Sequence, residues 1–266
     1  IGFCVFIIGA LAIDFGLLRR KGTHVVPVKE AAAWTLVWIV LAIGFGILMQ
    51  VAWQDATKTT EYFVGYLVEK SLSVDNIFVF TLIFAALKTQ KKLQQLALMW
   101  GILLALVLRG IMIALGATLV AQYHWVLYVF AAFLILTGIK MLLVTGDHAP
   151  QDNAMVRWLK GRLRLTEKLE GEAFFVKRDG VLFATPLFLA LIMVETADLI
   201  FAVDSVPAVF AITSDPFLVY TSNIFAILGL RALYFALAAI LHRFAYLKYA
   251  LSVLLIFIGS KMFVAD

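Results

Sequence analysis

An all-α, polytopic membrane protein is the expectation for this 266-residue chain, and three features carry it. The composition is 64% hydrophobic and 15% charged, with a mean hydropathy of +1.00, more apolar surface than a water-soluble domain of this size can hide. Apolar runs of membrane-crossing length recur from Phe3 to Val264. Basic residues alternate between rich and poor connections. The first feature excludes a water-soluble enzyme. The single cysteine, Cys4, permits no intrachain disulfide and no Cys-based zinc or iron–sulfur site. The net charge of +5 gathers on no helical face, so nucleic acid is not an expected partner.

A bilayer core takes about 20 apolar residues per helix, and eight segments qualify, near 3–18, 33–53, 62–86, 95–119, 124–145, 183–212, 216–241 and 246–265. The first carries Asp14 and ends in Arg19-Arg20-Lys21 instead of a small-residue cleavage site, so it reads as a span and not as a signal peptide. Connections 19–30, 87–94, 146–182 and 242–248 hold four, three, seven and two Lys or Arg, whereas 54–61 holds only Lys58 and 120–123 and 213–215 hold none. By the positive-inside rule the rich set is cytoplasmic, which puts both ends of this chain on the far side. Connection 146–182, with Arg157, Lys160, Arg162, Arg164 and Lys168 among Glu167, Glu170 and Glu172, reads as a solvated or interfacial amphipathic helix.

The chain also resembles itself. Leu-Thr-Gly-Ile-Lys-Met at 136–141 echoes Ile-Gly-Ser-Lys-Met at 258–262, Arg109 and Arg231 occupy the preceding spans, and Ser-Val-Asp-Asn at 73–76 matches Ala-Val-Asp-Ser at 202–205. Two three-helix units are therefore expected, repeat 1 at 62–145 and repeat 2 at 183–266. They follow two extra spans at 1–61 and flank the cytoplasmic connection at 146–182. An odd helix count inverts one copy relative to the other, the architecture of many secondary transporters, whose site lies at the midplane between repeats.

Five carboxylates, Glu69, Asp75, Glu195, Asp198 and Asp204, fall at membrane depth, each costing about 2.5–3.5 kcal/mol on an insertion scale. Glu195 and Asp198 share a helical face. Glu69/Asp75 and Asp198/Asp204, six residues apart, diverge by about 120°. Helix breaks are expected near Val74–Asp75 and Val203–Asp204, from the Asp-Asn and Asp-Ser pairs and from Pro207. Converging repeats would gather the acids with Ser73, Asn76, Thr196, Ser205 and Asn223. An all-oxygen cluster takes a hard cation such as Mn²⁺, Mg²⁺ or Ca²⁺, and no histidine lies inside a span to recruit a softer one. The competing reading makes the acids structural partners of the intramembrane bases Lys70, Arg109, Lys140, Arg231 and Lys261, with Arg109 and Arg231 foremost. Asp14 reads as a helix-terminus residue, Gly44, Gly46, Gly101 and Gly110 as close-approach positions, and Trp34, Trp38, Trp53 and Trp125 as an aromatic belt. Nothing resembles a Ser/His pair or a His-Glu-x-x-His zinc motif, so no enzyme is expected.

Gly-Tyr-Leu-Val-Glu-Lys-Ser-Leu-Ser-Val-Asp-Asn (65–76), Glu-Thr-Ala-Asp-Leu-Ile-Phe-Ala-Val-Asp-Ser-Val-Pro-Ala (195–208) and Thr-Ser-Asn-Ile-Phe-Ala-Ile-Leu-Gly-Leu-Arg (221–231) resemble the signature stretches of the TerC family, most closely its Alx-type bacterial branch. That resemblance implies a multi-pass inner-membrane protein of the LysE-like transporter superfamily, associated with tellurium resistance by name and with manganese export by function. Carried over by position, it makes Glu69, Asp75, Glu195, Asp198 and Asp204 ion-handling acids, with Asn76 as a further ligand. Clustered carboxylates repel tellurite, an anion, and attract Mn²⁺. The expectation is thus an Mn²⁺ exporter with no permanently bound cofactor, with protons as a counter-ion. The alternative is a non-transporting membrane scaffold. Oligomeric state stays open.

Overall fold

The computed structural model describes residues 2–21, 26–123, 125–143, 164–166, 169–178, 180–238 and 247–264. Its helices are α1 (Gly2–Lys21), α2 (Val28–Trp53), α3 (Ala56–Ala86), α4 (Lys91–Gln122), α5 (Val126–Leu143), α6 (Pro186–Phe210), α7 (Pro216–Leu228), α8 (Leu230–Leu237) and α9 (Leu247–Val264). Their starts follow capping chemistry. Asp55 accepts from the Lys58 N–H at 3.1 Å. Thr185 and Asp215 accept from Phe188 and Phe217 at 3.4 and 2.9 Å, each followed by a proline whose missing donor costs nothing there.

Among the described residues, α2, α4 and α6 are each long and apolar enough to cross a membrane, and α7 with α8 is so only as a pair, bent by 40° between them. Helices α5 and α9 hold shorter apolar stretches, Val126–Lys140 and Ser252–Lys261. Helix α3 has the length, 31 residues, but carries Glu61, Glu69, Lys70 and Asp75. The protein is an all-α polytopic membrane protein.

The helices interlock across the two halves of the chain. Helix α3 packs on α6 and α7, α4 on α6 and α7, and α5 on α9. The α5–α9 crossing is the tightest and is reciprocal. A Cβ at Gly138 would stand 2.8 Å from the Ser252 carbonyl oxygen and 2.7 Å from Ile256 Cγ1. A Cβ at Gly259 would stand 2.8 Å from both the Ala131 carbonyl oxygen and Ile135 Cγ1. One constant offset relates Ala131, Ile135 and Gly138 to Ser252, Ile256 and Gly259. Only a residue without a side chain lets these backbones meet. Helices α1 and α2 lie against α3 and α7 through rings of Phe3, Phe45, Tyr62, Phe217 and Phe225.

The two ends of the bundle are marked by ion pairs. Lys58 at the start of α3 reaches Asp215 at the start of α7, 3.6 Å away. Helix α3 then rises about 1.5 Å per residue to the far end, where Lys92 meets Glu172 at 3.1 Å. Connections 54–61 and 213–215 therefore share one end, and 87–94 and the 146–182 connection share the other.

Several sequence expectations fail here for identifiable reasons. Helices α3 and α6 run unbroken through Val74–Asp75 and Val203–Asp204. An interruption in hydrocarbon would strand backbone groups that no water can reach. Pro207 lies one turn from the end of α6, where its missing N–H forfeits a single bond. The break falls instead at Gly229, between α7 and α8. In the 146–182 connection, residues 146–163, 167–168 and 179, and with them Arg157, Lys160, Arg162, Glu167 and Lys168 of the expected amphipathic helix, lie outside the described residues. Its later part is a two-stranded antiparallel hairpin, β1 (Phe175–Arg178) and β2 (Val181–Ala184), turning at Gly180 with φ of +79°, and not a helix. Trp38 leaves the aromatic belt: it is buried, with its Cβ against Gly229. Trp53 and Trp125 are exposed as a belt requires. Gly44 has nothing within 4 Å of a would-be Cβ, while Gly46 faces the Phe63 ring and Gly110 the Tyr220 ring. The Asp14 side chain and all four histidines lie outside what is described.

Candidate functional site

Unbroken helices sort the acids by face. Glu69 and Asp198 project into the centre of the bundle, where Arg109 of α4 meets both. Arg109 Nη1 donates to Glu69 Oε2 at 2.8 Å, Nη2 to Asp198 Oδ1 at 3.0 Å and Nε to Asp198 Oδ2 at 3.3 Å. Nη1 also reaches Asn223 Oδ1 at 3.2 Å and Ser205 Oγ at 3.5 Å. The Asn223 amide donates to the other Glu69 oxygen, and the Asn76 amide to Asp198 Oδ1 at 3.1 Å. Four helices, α3, α4, α6 and α7, thus supply one network that is 1–4% exposed at Glu69, Arg109 and Asp198. A guanidinium suits this place because its planar fork satisfies two carboxylates at once. At membrane depth an acid without such a partner would be strongly disfavoured.

Asp75 and Asp204, rotated away from that face, open with Glu69 onto a cavity of about 30 Å³, enough for a water or a small ion. Its walls include Ser73, Asn76, Arg109, Ser205 and Leu255. Asp204 accepts from Thr137 of α5 at 3.3 Å. Asn76 is 2% exposed, and its Oδ1 has no hydrogen-bond partner. Its orientation is set by chemistry, since the Asp198 carboxylate only accepts and must face the amide N–H₂. Asn76, a wall residue of this acid-lined void, is thereby left with an unpaired carbonyl oxygen, a group that burial penalises unless something positive meets it.

The sixth expected ligand stands apart. Glu195 borders a smaller cavity of about 10 Å³ with Gly101, Asp198 and Arg231. Its Oε1 would be 2.8 Å from a Cβ at Gly101, so that glycine makes room for a carboxylate and not for a helix backbone. Oε2 of Glu195 is buried without a hydrogen-bond partner. Asp198 lines this smaller cavity and is tied by hydrogen bonds to Asn76 and Arg109, which line the larger one. Among the described residues no three of Asp, Glu, His and Cys come close enough to hold a metal ion, because Glu69 and Asp198 spend their oxygens on Arg109, Asn76 and Asn223.

Of the expected charge partners, Arg109 is central and Arg231 borders the smaller cavity. Lys140 and Lys261 are exposed. Lys70 donates at 3.4 Å to the Ala226 carbonyl in the last turn of α7 instead of to an acid. A cation at a helix C-terminus is favourable, and the Gly229 break supplies that terminus. Lys70 Nζ would sit 2.7 Å from a Cβ at 229. Ser73, Ser205 and Asn223 join the site, whereas the Thr196 hydroxyl turns back to the Ile192 carbonyl of its own helix at 2.8 Å. Sequence reading missed Thr137 and Gly101. Thr137 figures in the sequence only within the repeated Leu-Thr-Gly-Ile-Lys-Met stretch, and Gly101, read as a close-approach position, has no side chain to announce its role.

Comparison with known proteins bears on the whole chain. Residues 54–266 match the integral membrane protein TerC family. Proteins named "Putative membrane-bound redox modulator Alx" in Escherichia coli (strain K12) and Shigella flexneri are 49% identical to it, covering 100% of this chain and 85% of their own length. A membrane protein of Myxococcus xanthus is 47% identical over 100% of the chain and 83% of its own. No solved structure matches. With both the family match and these full-length likenesses in hand, the chain belongs to the TerC family of integral membrane proteins.

Proposed function

We propose that this protein exports divalent manganese across the bacterial inner membrane, using the cavity between α3 and α6 as the ion's resting place. The observation that carries the reading is the buried, unpartnered Asn76 Oδ1 beside Asp75, Asp204 and Glu69 at one small cavity. These are hard oxygen donors, suited to Mn²⁺, Mg²⁺ or Ca²⁺. Manganese is the member of that set which the TerC resemblance favours. Glu195 and Asp198 belong to the same route on the other side of Arg109. Protons as counter-ion follow from acids that need a positive partner on the return step.

Eight spans, six of them forming two inverted three-helix units and two preceding them, fit this reading. The swapped pairing of α3 with α7 and α4 with α6, and the reciprocal Gly138 and Gly259 contacts, are what a two-fold axis in the membrane plane would produce. The charge alternation of the connections makes the hairpin end cytoplasmic and both ends of this chain periplasmic. The name of the relatives speaks of redox modulation. With Cys4 as its one cysteine, this chain holds no intrachain thiol pair for that role.

A scaffold reading draws on one observation, the complete pairing of Arg109. Flux separates the two. Proteoliposomes holding the purified protein should move Mn²⁺, and Asp75→Asn and Asp204→Asn should fold but lose at least tenfold in rate. A scaffold would move none even as wild type.

A further inference from the structure

We infer that Arg109 is a built-in counter-cation that competes with the transported ion for Glu69 and Asp198, and that this competition makes the site selective for divalent over monovalent cations. The inference rests on the cation-export reading and deepens it. Arg109 is not a remote structural bridge: it lines the same 30 Å³ cavity as Asp75, Asn76 and Asp204. It holds one carboxylate from each half of the chain, at 2.8 and 3.0 Å.

Asp75, Asp204 and the Asn76 carbonyl oxygen are the cavity groups that Arg109 does not bind. Two acids and one carbonyl oxygen are too few to complete the six or more oxygen ligands that a hard divalent cation takes, and as the side chains stand no three acids among the described residues come close enough to hold an ion. A bound ion must therefore recruit Glu69, and Glu69 is held by Arg109 Nη1 and by Asn223. A monovalent ion taking Glu69 exchanges one unit of charge for another and forfeits the forked, charge-assisted hydrogen bonds of the guanidinium. A divalent ion brings twice the charge to the same carboxylates and repays that loss. The selectivity follows from the charge of the displaced group and needs no size filter.

The experiment is a Mn²⁺ titration of the purified full chain in detergent, with and without a thousandfold excess of Na⁺, on wild type, Arg109→Gln and Arg109→Lys. The inference expects wild type to bind Mn²⁺ unaffected by Na⁺. Arg109→Gln should bind Mn²⁺ at least tenfold more tightly and let Na⁺ compete. Lysine keeps the charge but cannot span two carboxylates, so Arg109→Lys should bind Mn²⁺ at least threefold more tightly and still exclude Na⁺. That variant carries the test if Arg109→Gln fails to fold. Unchanged or weaker Mn²⁺ binding in the variants, with wild type binding normally, overturns the inference and leaves the export reading standing. A wild type that binds no Mn²⁺ overturns both.

Discussion

Replacing Arg109 by glutamine should expose how the buried charges are balanced. The network sets one guanidinium against two carboxylates, with all three side chains 1–6% exposed. Removing the cation leaves Glu69 and Asp198 facing each other with only Asn76, Asn223 and Ser205 as neutral neighbours. Breaking a buried pair in this way costs about 3–5 kcal/mol, a large share of the roughly 5–15 kcal/mol that holds a domain together. At about 2–4 °C per kcal/mol for a chain of this general size, the midpoint of thermal unfolding should drop by roughly 6–20 °C. Adding Glu69→Gln and Asp198→Asn to the same chain removes the stranded charges, and amides retain most of the hydrogen bonds. The triple variant should therefore recover more than half the loss. The six tryptophans report the melt in detergent by fluorescence. A single variant within about 2 °C of wild type, or a triple variant whose losses simply add, would refute the coupled network.

The remaining predictions concern packing and sidedness. Gly138→Leu and Gly259→Leu each drive a side chain into a facing backbone carbonyl 2.8 Å from the would-be Cβ, and each should destabilise by about 1–3 kcal/mol or more. Gly44→Ala, with open space around it, should leave the melting midpoint within about 1 °C. In a Cys4→Ser background, cysteines at Thr57 and Ser214 should react with an impermeant thiol reagent from the same side, and cysteines at Gln90 and Lys177 from the opposite one. Labelling of Thr57 and Ser214 from different sides would contradict the Lys58–Asp215 proximity.

Much of the site was legible because charge is loud in an apolar chain. Glu69, Asp198 and Arg109 stood out by type and depth alone, and the expectation that Arg109 pairs structurally with acids agrees with its four-helix network. Acids six residues apart diverge on an unbroken helix, and α3 and α6 are unbroken. The breaks expected near Val74–Asp75 and Val203–Asp204 do not occur, because Asp-Asn and Asp-Ser-Val-Pro are helix-start signals in water. In hydrocarbon, breaking the backbone is dearer than turning Asp75 and Asp204 toward the small cavity that Glu69 also lines. The actual break at Gly229 carries no polar flag, and its meaning appears only with Lys70 beside it. Gly101 is silent for the same reason. The hairpin had a legible signal, Asp-Gly at 179–180 between Phe-Val-Lys-Arg and Val-Leu-Phe-Ala, which the surrounding charge pattern masked. Trp38 shows that a tryptophan near a span end can equally be core.

Stoichiometric Mn²⁺ binding tests the central claim most directly, read by loss of the free-ion paramagnetic resonance signal as protein is added. The account predicts one tightly held ion per chain in wild type, and binding weakened at least a hundredfold in Asp75→Asn/Asp204→Asn at an unchanged melting midpoint. Equal binding by wild type and the double variant, or none by either, would contradict it.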